Sequence, residues 1–106
     1  MTDTTDREMH EYAAKAAGVE IDPIDAAHDP REWQCWNPRH DNNDAFQLAA
    51  RLKLQVAFCT FNKYEASAYA FGKPAVHVLS LENTDIEAAA REAIFLMAVE
   101  IGKGMK

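Results

Sequence analysis

The sequence has little cysteine, few glycines and no long apolar run. Its two cysteines, Cys35 and Cys59, stand in a chain of 106 residues. Two are too few for a disulfide framework, so they are expected to be free thiols in a reducing compartment. The longest apolar run, AIFLMAV at 93–99, falls far short of the ~20 residues that cross a bilayer. The opening MTDTTDREMHEY is polar and acidic and has neither the charged n-region nor the apolar h-region of a secretory signal, so a cytoplasmic location is expected. The four glycines form no phosphate-cradling loop and no Gly-x-Ser-x-Gly elbow. Positive charge is also scarce: 11 Lys and Arg face 17 Asp and Glu, for a net charge of −6. Such a chain gains little from counterion release on nucleic acid or from attraction to anionic lipid, which argues against both as partners.

What is present describes a globular domain. With 48% hydrophobic and 26% charged residues, the chain is expected to fold as one domain over 1–106. Residues 6–17 read as a helix with Met9, Tyr12, Ala13 and Ala16 on one face and Gly18 as its stop. Pro23, Pro30 and Pro38 keep residues 19–40 irregular, with Val19–Ile21 or Trp33–Cys35 as candidate short edge strands. A second helix is predicted over 43–53, capped by Asp41, Asn42 or Asn43. Its stripe is Ala45, Leu48, Ala49 and Leu52, with Phe46 at the edge. Three β-rich runs, 55–61, 65–71 and 75–81, are separated by short turns and predict an antiparallel meander. Both alternating sets of these runs are largely apolar or small, as in a sheet covered on both faces.

The last helix is predicted over 84–102, with Thr84 and Glu87 as a capping box. Ile86, Ala90, Ala93, Ile94, Met97 and Ile101 form its main stripe. Phe95, Leu96 and Val99 point away from that stripe and make a second apolar surface. Either the first helix covers it, through Met9 and Tyr12, or a second copy of the chain does, so these three residues are candidates for homodimer formation. The element order gives an α+β fold, a three-layer alpha-beta-alpha sandwich with a three-stranded antiparallel sheet and about three helices.

The densest chemistry lies in WQCWNPRHDNNDAFQLAARL, residues 33–52. His28, Cys35, His40, Asp41 and Asp44 match no zinc spacing, so no metal is expected. Cys35 with His28 or His40 is a weak nucleophile–base candidate, because nothing in sequence depresses the thiol pKa. No catalytic residue is assigned and no cofactor is implied. Trp33 and Trp36, with Arg31, Arg39 and Arg51 nearby, read either as a lid on the core or as a partner-binding patch. The candidate binding residues are Trp33, Trp36, Arg39, His40, Asp41 and Asp44. The leading function is non-enzymatic protein binding. The alternative is a small-molecule binder or small enzyme using the 28–44 loop.

Within this stretch, Trp36-Asn37-Pro38, Asp41, Asp44-Ala45 and Leu48 resemble the W-x-P…D…DA-x-x-L signature of the phage ABA-sandwich domain family. The alanine-rich AAAREAIFLMAVEIG is similar to the last helix of that family, and the resemblance covers about 33–103. It implies an alpha-beta-alpha layered fold and a bacteriophage or prophage origin, and hence the host cytoplasm; a host or phage protein as partner is expected from the lack of any catalytic constellation. It carries over no catalytic residue.

Overall fold

The computed structural model describes residues 6–21, 23, 27, 36–59, 65–70, 72–79 and 86–105. They form helix α1 (Asp6–Ala17), helix α2 (Asn42–Leu52), strands β1 (Gln55–Cys59), β2 (Glu65–Tyr69) and β3 (Val76–Leu79), and helix α3 (Ile86–Lys103). This is the α+β fold that the sequence predicts, with three helices and a three-stranded antiparallel sheet in the order β1-β2-β3.

The helix ends follow from residue type. Gly18 takes a left-handed φ of 72 after α1. That lets the Val19 N–H reach the Ala14 carbonyl at 2.9 Å and the Gly18 N–H reach Lys15 at 3.2 Å, closing the last turn. Arg51 adds a hydrogen bond to the Ala17 carbonyl at 3.0 Å, tying α2 to the end of α1. Asp41 caps α2 by accepting the Asp44 N–H at 2.9 Å. At the other end of α2 the left-handed position is held by Lys53, at φ 55, where glycine is the usual residue. The Leu54 N–H then returns to the Ala49 carbonyl at 2.9 Å.

The strand register pairs Val56 with Ala68 and Phe58 with Ala66, and then Ala66 with Val78 and Ala68 with Val76. These six residues share one face, and α3 packs on it. Ala66 and Ala68 are fully buried. Alanine is a poor strand former, but in the central strand its small side chain lets a helix come close. The described strands are shorter than expected; the ends at 60–61 and 80–81, and the Thr84 cap, lie outside the described residues. Val19–Ile21 is irregular, not a strand. Trp33–Cys35 lies outside the described residues.

Helix α3 is the middle of the molecule. Its Ala93 and Met97 join Ala68 in a cluster under the sheet, flanked by Val76, Val78 and Ile101. On its opposite side Phe95 and Val99 join Ala13 of α1, with Met9 and Tyr12 packed beside them. Ala45 and Leu48 of α2 complete this second cluster along with Ile94 and Ala98. The layers therefore run sheet, α3, then α1, with α2 leaning on α3 beside β1. The other sheet face carries Ala57, Cys59, Ser67, Tyr69, His77 and Leu79, and none of the described helices packs over it.

This stacking corrects one expectation. Phe95 is fully buried and Val99 is 2% exposed, both beneath α1, while Leu96 is half-buried against the same cluster. Of the two alternatives, cover by the first helix is the one seen: Phe95 and Val99 lie inside the chain and are not available to a second copy, and Leu96 stays partly exposed at the edge of the cluster.

Candidate functional site

The turn that leads into α2 is built as a joint. The Asn37 N–H donates to the Asp44 carboxylate at 2.9 Å, and the Asn37 carbonyl accepts from the N–H groups of His40 and Asp41 at 3.1 and 2.9 Å. His40 Nδ1 lies 3.0 Å from Asn37 Oδ1. Arg39 reaches α3, placing Nε and one terminal nitrogen on the two oxygens of Glu92 at 3.0 and 2.9 Å, with its guanidinium 5.0 Å from the centre of the Phe95 ring. Arg91 answers from α3, donating to the Arg39 carbonyl at 3.0 Å and to Asn42 Oδ1. Asn42 in turn donates to Glu87 at 2.6 Å.

Arg39, His40, Asp41 and Asp44 thus all hydrogen-bond within the chain, where they hold the start of α2 against α3. Trp36 is half-buried and packs on the core cluster of α1, α2 and α3. Trp33, Cys35, His28 and Arg31 lie outside the described residues. Sequence reading found the cap at Asp41 from residue type. It named Asn42 and Glu87 only as candidate caps of their own helices and did not mark Arg91 or Glu92, because no local signal pairs residues more than forty positions apart.

A second polar group lies on the sheet face turned away from α3. Ser67 Oγ is 2.7 Å from His77 Nδ1, and Glu65 Oε1 is 3.7 Å from the same nitrogen. A hydrolytic triad places the nucleophile and the orienting carboxylate on opposite ring nitrogens. Here both approach Nδ1, so Glu65 does not lie across the ring from Ser67, where it would orient the histidine as a general base. Ser67 is also buried in the sheet. Among the described residues no three His, Cys, Asp or Glu side chains are placed to hold a metal ion, and no helix is long and apolar enough to cross a membrane.

The remaining feature is a groove of about 520 Å³ between α2, β1 and α3. Its floor is Ala45, Ile94, Ala90 and Val56, and its sides include Ala49, Ala50 and Leu54. Phe46 and Phe58 stand at its margins, 72% and 58% exposed. One end carries Asn42, Glu87 and Arg91, and the other carries Lys53. The sequence marked Phe46 only as the edge of a buried stripe. The signal for the groove was the margin of that stripe, where Phe46 lies beside Ala49 on the helix surface, with Asn42 at the helix start and the C-cap Lys53 just past its end.

Fold and groove together define a small α+β domain with an open apolar channel beside an edge strand. Compared with family models, with curated proteins and with solved structures, the chain matches none.

Proposed function

We propose that this chain is a non-enzymatic protein-binding module, a small accessory protein of phage or prophage type working in the host cytoplasm, and that it binds a protein segment in the α2–β1–α3 groove. The observation that carries the reading is the pair of exposed rings, Phe46 and Phe58, on either side of an alanine-lined channel. Exposed phenylalanines cost solubility, and aromatic anchors over a small-residue floor are what a partner's apolar side chains dock against. Strand β1 adds a second feature. It is the edge of the sheet and its sequence, QVAFC, has neither charge nor proline to discourage a passing chain. The phage origin rests on the resemblance of the Trp36–Leu48 signature to the phage ABA-sandwich domain, and a host or phage protein as partner on the lack of a catalytic constellation in the sequence.

A small-molecule binder is the second reading, since about 520 Å³ lies within the size range of ligand pockets. The groove touches the 28–44 loop only through Asn42. Its open length and flanking rings suit a protein segment better than an enclosed ligand.

The test places the photoreactive residue p-benzoylphenylalanine at position 46 of the full chain and irradiates it in a bacterial host. A discrete protein adduct is expected, and it should vanish when the photoreactive residue is moved to the exposed position of Gln47, which does not line the groove. Illumination that yields no protein adduct at position 46 ends the reading.

A further inference from the structure

We propose that the segment occupying this groove is α2 of a second copy of the chain, so that the protein is a two-fold dimer through α2. The proposal rests on the reading of the groove as a protein-binding site and names its occupant. An isologous interface must be complementary to itself, so that residue i meets j and j meets i. The exposed stripe of α2 meets that demand. Asn42, Phe46, Ala49 and Lys53 follow one another at the alternating four- and three-residue steps of a helix-pairing seam.

A two-fold axis between Gln47 and Leu48 lays two such stripes antiparallel. Phe46 then faces Ala49 of the partner subunit, a large side chain against a small one, and the contact occurs twice. The same axis sets Lys53 against the Asn42 end of the partner's helix. That end holds Glu87, which is exposed and bonded to Asn42 at 2.6 Å.

Charge selects this arrangement over its alternatives. The two ends of the stripe are ~16 Å apart along the helix axis. Lysine stands at one end. At the other, Glu87 is exposed, while the neighbouring Arg91 is half-buried and turned into hydrogen bonds with the Arg39 carbonyl and Asn42 Oδ1, so an antiparallel partner places Lys53 against the exposed glutamate at both ends. A parallel partner would set lysine on lysine. Lys53 is also the one non-glycine residue with a positive φ among the described residues.

The experiment is light scattering on the full chain across the micromolar range. The expected mass is about twice the 11.9 kDa of one chain. Phe46→Asp should give the single-chain mass with an unchanged circular dichroism spectrum, because Phe46 is mostly exposed and supports no core. Glu87→Lys and Lys53→Glu should each weaken self-association about tenfold when alone, since each homodimer then opposes like charges at both ends. Mixed together, these two variants should form a heterodimer at close to the original strength, because opposite charges meet again at both ends.

A single-chain mass for the unmodified protein, a dimer that survives Phe46→Asp, or a mixture that pairs no better than its components would overturn the proposal. The photo-adduct at position 46 separates this failure from that of the broader reading. An adduct with the mass of a different protein overturns the dimer and keeps the groove as a binding site. The lack of any protein adduct ends both.

Discussion

Arg39 shows how one side chain turns a loop into a joint. Its two nitrogens take both oxygens of Glu92, its plane lies over Phe95, and its own carbonyl receives Arg91. A fork of donors in one plane makes this possible, and lysine has none. The side chains of Arg39 and Glu92 are 23% and 30% exposed, so the pair is partly shielded from solvent. Arg39→Lys should therefore lower stability by about 1–2 kcal/mol, close to the effect of Arg39→Ala, despite keeping the charge. Urea denaturation measures it. A midpoint equal to that of the unmodified chain for Arg39→Lys would show that charge alone, not the fork, matters here. At this scale the sequence revealed the cap at Asp41, which acts three residues away. It was silent about Glu92, which lies 53 positions away.

At the scale of elements the decisive contact is between α1 and α3. The buried residues of α1 are His10, Ala13 and Ala14, with Tyr12, Met9 and Ala17 beside them. Sequence periodicity centred the buried face on Met9, Tyr12, Ala13 and Ala16, because a histidine reads as polar. The structure turns the helix so that the His10 ring lies 4.6 Å from the Phe95 ring, tilted against it. The close approach depends on Gly102. A Cβ added there would stand 2.0 Å from the Tyr12 carbonyl oxygen and 2.6 Å from its carbon, both backbone atoms that cannot swing aside.

Alanine in place of glycine inside a helix ordinarily stabilises by about 1 kcal/mol. Gly102→Ala should do the reverse, destabilising by about 3 kcal/mol through overpacking. Thermal unfolding should fall by more than about 10 °C. An unchanged or raised melting temperature would mean that the two helices cross at a greater distance.

For the whole molecule, α3 is the element on which the others depend. The sheet lies on one side of it and α1 on the other, while α2 and the Asn37–Asp44 turn are bound along its flank. Opening α3 requires every other element to separate, whereas β1 and β3 can each detach from one edge of the sheet. Amide hydrogen exchange should therefore be slowest in the central turns of α3, around Ala93–Val99, at the rate of global unfolding, and faster by orders of magnitude in β1. Equal protection of β1 and α3 would show that the edge strand does not open on its own. In the proposed dimer, raising the concentration should slow exchange in α2 more than in β3, since α2 lines the groove and β3 does not.

The sequence by itself determined the elements, because each is a local matter. Helical spacing, the cap at Asp41, the left-handed stop at Gly18 and the alternation of the strands all act within a few residues. The antiparallel order of the sheet followed too, since short turns leave adjacent strands few other ways to pair. Only the tertiary structure decided which of two apolar faces is covered, and by what. Helix α3 had two apolar stripes and both proved to be interior, because α1 is small enough, through its alanines, to lie against Gly102 and close over Phe95 and Val99. Helix α2 had one plain stripe and a second that looked like its margin, and that margin is what the fold leaves open. Periodicity records that a face is apolar. Whether the face meets another element or solvent depends on where distant segments stop and how closely their backbones approach, and those distances are not written in the order of the residues.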